Sequence, residues 1–273
     1  MQANDLIQNN PGKQVITRKI QMPSHYIDDR HTHPWHQIIF PLTGLLQSEF
    51  TPPEIEKEKD NEDRRVIVPH NAMLFIPANT AHKSVAVTDT QFLAVYLNPA
   101  GVVTYPTQPK SCRVTPFIKE LILLLFDENP HYQAENILTG LLTVLSDQID
   151  IATTYEIPLL IPSDRRLQSI FTQLQKQPDL KLSLAEWATK AGASERTLSR
   201  LCAKEFHQSF ALWRQNIRLV LSLRLLDSGR SIQEIALESG YTSDSAYIHA
   251  FKGIFGLTPS RYRRDHLSPR ADD

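Results

Sequence analysis

The chain has 273 residues, room for two ordinary domains, with 41% hydrophobic and 22% charged residues. That composition is globular rather than disordered. The longest apolar run, Leu121 to Phe126, falls far short of the ~20 residues a membrane-crossing helix needs, so no membrane partner is expected. The first ten residues carry neither a basic start nor an apolar segment, and the two cysteines, Cys112 and Cys202, lie far apart. Both features predict a cytoplasmic protein without a disulfide framework. The net charge of -1 conceals an asymmetry: residues 1–159 hold 12 Lys and Arg against 18 Asp and Glu, whereas residues 160–267 hold 16 against 10. An acidic half joined to a basic half points the second half towards a polyanion.

Residues 13–100 read as short strands: VITRKIQM, HQIIFPL, LLQSEF, RRVIVP, AMLFIP and QFLAVYL are β-branched or aromatic runs separated by Pro, Gly, Asn and Asp. Many short strands without intervening helices predict an all-β sandwich or barrel over residues 1–110. The charge run 54–65 reads as a solvated hairpin loop. From Thr115 the period becomes helical, through Phe117, Leu121, Leu124 and Leu125, then Ile137, Leu138, Leu141, Leu142 and Leu145. This predicts a helical pair over 111–154 with more apolar surface than one stripe requires. The excess either packs on the same chain or faces a partner. The stretch 155–163, with two prolines and no periodicity, reads as a linker to a second domain at 164–267.

That second domain holds an internal repeat: SLAEWATKAG recurs as SIQEIALESG, and SERTLSRLCAKEFHQS as SDSAYIHAFKGIFGLT. Each copy opens on a capping box, Ser183 with Glu186 and Ser231 with Glu234. Gly192 and Gly240 end the first helices, and Ser194 and Ser243 cap the second ones. Helix, glycine turn and helix make a helix-turn-helix, with units at 183–206 and 231–255. With Leu198 and Cys202 turned inward, Glu195, Arg196, Ser199 and Arg200 face outward. Arg196 and Arg200 share one face, and arginine reads guanine bidentately. The equivalent outward set in the second unit is Asp244, Ser245, Ile248 and His249. Lys204, Lys252, Arg261, Arg263 and Arg264 suit phosphates of double-stranded DNA. One long helix through Trp213, Ile217, Val220 and Leu221 joins the units. Recognition helices entering successive major grooves would stand about 34 Å apart.

With IQEIALESGYTSDSAYIHAFKGIFGLTPSRYRR at 232–264, this region resembles the DNA-binding domain of the AraC/XylS family of transcriptional regulators. The match rests on Phe251, Lys252, Phe255, Gly256, Thr258, Pro259, Tyr262 and Arg263 in that order, and it covers roughly the last 40% of the chain. His207 stands where the family has glycine; histidine accepts a left-handed backbone better than most residues. The resemblance, together with the surplus apolar surface of 115–150, implies a homodimer, and RNA polymerase as a partner if the protein activates.

In the first half, HTHPWHQIIFPLTG supplies His31, His33, Gln37 and Gly44, and PANTAH supplies Pro77 and His82. This resembles the two motifs of the cupin barrel, with Gln37 in place of the usual glutamate and Asn79 in place of a glycine. On a strand, His31 and His33 would point to one side. With His82 they make a three-nitrogen set suited to Zn, Ni, Fe or Cu, to which Gln37 adds a neutral oxygen. His36 and His70 rank lower. The alternatives are an organic-ligand pocket or a hydrogen-bonded polar core. The expected whole is a cupin-like sensing domain, binding a small molecule or a metal, ahead of an all-α DNA-binding domain. The enzymatic alternative, a non-haem dioxygenase fused to a DNA-binding domain, fits the neutral Gln37 and the attached helix-turn-helix units less well.

Overall fold

The computed structural model describes residues 3–51, 64–69, 72–127, 129–155, 157, 161–226 and 228–266. Most of the charge run, His70 and part of the 155–163 stretch lie outside the described residues. The chain divides into two compact units, Met1–Glu156 and Ile157–Asp273.

In the first unit a short helix α1 (Ala3–Gln8) precedes β1 (Val15–Met22), β2 (Ile27–His31), β3 (His36–Thr43), β4 (Leu45–Phe50), β5 (Arg64–Pro69), β6 (Ala72–Ile76), β7 (His82–Ala86), β8 (Thr90–Leu97) and β9 (Lys110–Arg113). They form two antiparallel sheets, ordered β1-β8-β3-β6-β9 and β2-β7-β4-β5. Alternation decides the faces of the larger sheet. Ile38, Phe40, Phe75, Leu93, Val95 and Leu97 join the core that the helices cover. Gln37 and Tyr96, paired in register, take the opposite face together with Ile16 of β1. The β3–β4 turn requires glycine: Gly44 has φ +74°, and a Cβ there would stand 2.2 Å from the Asp89 carbonyl oxygen.

Strand β9 crosses the boundary at 110/111 drawn from the sequence, pairing Ala72 with Arg113 through Phe75 with Lys110. Then come α2 (Pro116–Leu124), α3 (Pro130–Gln133) and α4 (Glu135–Ile151). Thr115 caps α2 by accepting from the Ile118 N–H. Helix α4 buries Leu138, Leu142, Leu145 and Ile149 against the sheet, each such side chain contributing about 1.5–3 kcal/mol. Part of the surplus apolar surface is therefore internal packing. Phe117, expected on the inner stripe, is 55% exposed.

The second unit is all-helical: α5 (Arg165–Lys176), α6 (Leu184–Lys190), α7 (Glu195–Phe206), α8 (Phe210–Leu226), α9 (Ile232–Glu238), α10 (Asp244–Phe255) and α11 (Pro259–His266). Both capping boxes form, and Ser194 and Ser243 accept from the Thr197 and Ala246 N–H groups. Gly192 and Gly240 adopt φ +62° and +80° in the turns. At the ends of α7 and α10, His207 and Gly256 adopt φ +53° and +71°. The first repeat buries Trp187, Leu198 and Cys202 beside Trp213, whose ring stacks on Phe206 at 5.3 Å. The second closes on Tyr247, Phe251, Phe255 and Tyr262. Ala250, one residue before Phe251, is half-buried.

Candidate functional site

Two constellations carry chemistry, one in each unit. In the helical unit, α7 turns Leu198 and Cys202 into the core. That leaves Glu195, Arg196, Ser199, Arg200 and Lys204 exposed on the other side. In α10, with Tyr247 and Phe251 inward, Asp244, Ser245, His249 and Lys252 are exposed, whereas Ile248 is half-buried. Asp244 also accepts from the Ser245 N–H at 2.7 Å, fixing the first turn of α10. Helix α11 leaves Arg261 and Arg264 exposed. Arg263 is half-buried and donates to the Arg230 carbonyl at 2.6 Å. Two more arginines, Arg214 and Arg218 of α8, hold backbone carbonyls. Neither stands out in the sequence.

In the sheet unit, His31, His33 and His82 come together, with potential ligand nitrogens all within 4.8 Å of one another. His31 ends β2 and is paired in register with His82 of β7. His33 is not on the strand, as the two-residue period suggested. It lies in the β2–β3 connection, with its carbonyl accepting from the Asn79 N–H at 2.8 Å. Asn79 itself has φ +62°. Asparagine tolerates that conformation best among non-glycine residues, along with aspartate and histidine. The ring centroids stand 4.3 Å apart for His31 and His82 and 5.0 Å for His33 and His82.

The Nδ1 atoms are committed elsewhere. That of His31 contacts the Asp29 carbonyl at 2.8 Å, that of His33 the Trp35 carbonyl at 2.7 Å, and that of His82 the Thr80 carbonyl at 2.9 Å. A carbonyl only accepts, so each Nδ1 carries the proton and each Nε2 presents a lone pair. His82 Nε2 is buried without a hydrogen-bond partner. His33 Nε2 faces the Gln37 Oε1 at 3.1 Å. Burial lowers the His33 imidazole from its ordinary value and takes His82 down to about 3. Both rings are therefore neutral at pH 7, and the Gln37 side-chain amide is the hydrogen-bond partner of His33 Nε2. His36 lies apart, accepting from the Ala78 N–H and stacked beside Phe75, and burial lowers it to about 4.

Two neighbours of the triad went unnoticed in the sequence. Tyr96 meets His33 edge-on at 5.4 Å and lies 3.5 Å from the Gln37 amide nitrogen. Burial raises its phenol to about 12. Asp28 is raised first by burial and lowered by His31. Its signal is faint because IDDRH lacks the apolar alternation by which strands are recognised.

A helix-turn-helix domain family matches residues 187–265. Over 243 residues the chain is 29% identical to the HTH-type transcriptional regulator NimR of Escherichia coli, spanning 88% of this chain and 85% of that protein. It is 30% identical over 98 residues to the regulatory protein SoxS of Salmonella typhimurium, spanning 36% of this chain and 92% of that one. The crystal structure of ToxT from Vibrio cholerae aligns with a TM-score of 0.39 at 10% identity, over 93% of this chain and 96% of that one. Among the described residues no helix is long and apolar enough to cross a membrane. With paired helix-turn-helix units built on matching caps and turns, and with relatives that match through them, the chain belongs to the AraC/XylS family of DNA-binding transcriptional regulators.

Proposed function

We propose that this regulator is controlled through its sheet unit, and that His31, His33 and His82 hold a divalent transition metal with Gln37 as a fourth, neutral donor. The observation that carries the proposal is the common arrangement of the three imidazoles: every Nδ1 donates to a backbone carbonyl, which leaves three Nε2 lone pairs for one site. Carbonyl-backed histidines are the usual outer support of metal ligands. The unpartnered His82 Nε2 is relieved by a cation, and Gln37, 3.1 Å from His33 Nε2, stands within reach of the same ion. Nitrogen donors favour Zn, Ni, Fe or Cu over Mg or Ca. The relatives are regulators and lend an enzymatic reading no support, so we assign the site to sensing.

On the DNA side, Arg196 and Arg200 read base edges from α7, and Ser199 and Glu195 complete that face. Asp244, Ser245, Ile248 and His249 form the second reading face on α10, and Lys204 and Lys252 meet phosphates. The test is elemental mass spectrometry on tag-free protein beside a His31→Ala/His33→Ala variant, followed by DNA affinity with and without the metal. Stoichiometric metal, lost in the variant, and a metal-dependent DNA affinity are expected. Protein that stays empty after dialysis against Zn, Ni, Cu and Fe(II) would refute the metal and leave the site to an organic effector. An effector that leaves DNA affinity unchanged would refute sensing, because the coupling is reciprocal.

A second copy of the chain is the partner we assign to α4. Ile137, Leu141, Val144, Gln148 and Ile151 follow one another at alternating steps of four and three residues, the seam spacing of a coiled coil. Ile137 is 45%, Val144 39% and Ile151 73% exposed. Gly140 sits beside that seam with nothing within 4 Å of where a Cβ would be. A mid-helix glycine costs about 1 kcal/mol relative to alanine, and a closely approaching second helix would account for it. Val144→Lys should turn a sedimenting dimer into a monomer; an unchanged sedimentation coefficient would reject this seam.

A further inference from the structure

The helix α8 buries most of its length, yet it carries two half-buried guanidinium groups one turn apart, Arg214 and Arg218. Arg214 donates to the Leu182 carbonyl at 2.6 Å and Arg218 to the Leu180 carbonyl at 2.8 Å. Those carbonyls belong to the irregular segment between α5 and α6, where neither helix supplies an N–H for them. The other side of Arg218 meets the second repeat. A Cβ on Gly240 would lie 3.0 Å from the Arg218 Cζ, 2.9 Å from the Asp179 Cα and 3.0 Å from the Pro178 carbonyl oxygen. Burial and then the neighbouring Arg214 charge lower the pKa of Arg218, against the opposing influence of Tyr241 and Asp179. The ring of Tyr241 packs edge-on against Tyr247 of α10 at 5.4 Å, and the Tyr247 hydroxyl is hydrogen-bonded to Ser222 of α8 at 2.8 Å. The chain of contacts thus runs from the segment that launches α6, through Arg218, to the glycine turn and core of the second unit.

A guanidinium in this position is a costly way to fill space, because burial disfavours its charge and its Nε is left without a partner. Its planar fork holds the Leu180 carbonyl and lies against the Gly240 turn, and no apolar side chain could hold carbonyl and turn together. We propose that Arg218 is a positioning residue for DNA recognition, locking the segment before α6 to the Gly240 turn and so fixing the separation at which α7 and α10 meet DNA. This rests on the reading that both helices enter major grooves. In a rigid pair, one base pair inserted between half-sites moves the second groove by ~3.4 Å and ~35°.

The test takes a duplex selected by the full-length protein from a randomised pool, together with derivatives carrying one or two base pairs inserted at its centre. Wild type should lose about tenfold in affinity per inserted base pair, comparable to a mismatch. In Arg218→Met, which keeps an unbranched stem in the same volume, affinity for the parent duplex should fall while the insertion penalty shrinks to about twofold. Arg218→Lys, which retains one donor for the Leu180 carbonyl, should recover part of the penalty and carries the test if the Met variant loses its helical circular dichroism. An insertion penalty in the variants equal to that of wild type would make Arg218 merely structural and overturn the proposal. Failure of wild type to select any duplex would overturn the DNA-reading faces as well, so the two failures are distinguishable.

Discussion

Gly192 and Gly240 occupy equivalent turns, with φ +62° and +80°, but their surroundings differ. A Cβ at Gly192 would meet nothing within 4 Å, whereas at Gly240 it would press on the backbone of Pro178 and Asp179 and on Arg218. Gly192→Ala should therefore cost only the left-handed backbone penalty, about 1–2 kcal/mol. Gly240→Ala should cost that and a further 1–3 kcal/mol or so of overpacking, because two of the three nearest atoms are main chain and cannot swing away. The predicted difference of about 1–3 kcal/mol isolates the contact of the second turn with Arg218 and the segment before α6, since residue type and turn are held constant. Urea denaturation of both variants, followed by far-ultraviolet circular dichroism and by the fluorescence of Trp187 and Trp213 in a Trp35→Phe background, measures it. Equal losses in the two variants would show that the second turn does not rest on the segment before α6, and the case for Arg218 would fall with it.

Arg200→Ala should weaken binding to a selected site by about 1–3 kcal/mol with little change on random DNA; equal losses on both would make Arg200 a phosphate contact. His207→Gly should stabilise the protein by about 1 kcal/mol, because the native φ of +53° strains any side chain; a lower melting temperature would refute this. Metal-free protein should lose stability in acid. Burial holds His82 down to about 3, so below its ordinary value of ~6.5 the unfolded chain takes up a proton that the folded one refuses. Stability is then flat above that pH and declines below it, by about 2 kcal/mol at pH 5 for this ring alone. A melting profile with the same acid limb in His82→Gln would reject the assignment.

The helical unit was legible because its signals are local. Capping boxes, glycine turns and helical stripes each act within a few residues, and Ser183, Gly192, Ser231 and Gly240 mark boundaries that tertiary packing leaves in place. The sheet unit was legible only where strands are apolar. β2 is polar, and its register slips between Asp28 and His31, so neither its pairing nor the departure of His33 from the strand could be read from a two-residue period. The triad was visible as three histidines; what assembles it is the pairing of β2 with β7. Arg214 and Arg218 were opaque for a related reason. A helical wheel places them on a polar face, but their partners are carbonyls 32 and 38 residues away in the chain.

Three departures, His207 from the AraC/XylS pattern and Asn79 and Gln37 from the cupin motif that the first unit resembles, show what is constrained and what is free. His207 and Asn79 replace glycines, and the structure keeps the left-handed backbone at both, φ +53° and +62°. The turn geometry is therefore what the fold demands, and residues able to bear about 1–2 kcal/mol of strain can supply it. Gln37 is different in kind. It stands beside His33, at the position where the cupin motif that the segment resembles carries a glutamate, so the backbone is untouched and only the charge differs from that pattern. A divalent cation held by three neutral imidazoles and an amide keeps its full double charge. That favours an anionic co-ligand and lowers affinity for the cation itself. Gln37→Glu should thus tighten metal binding without altering the fold. Weaker metal retention in that variant would place Gln37 outside the ligand set.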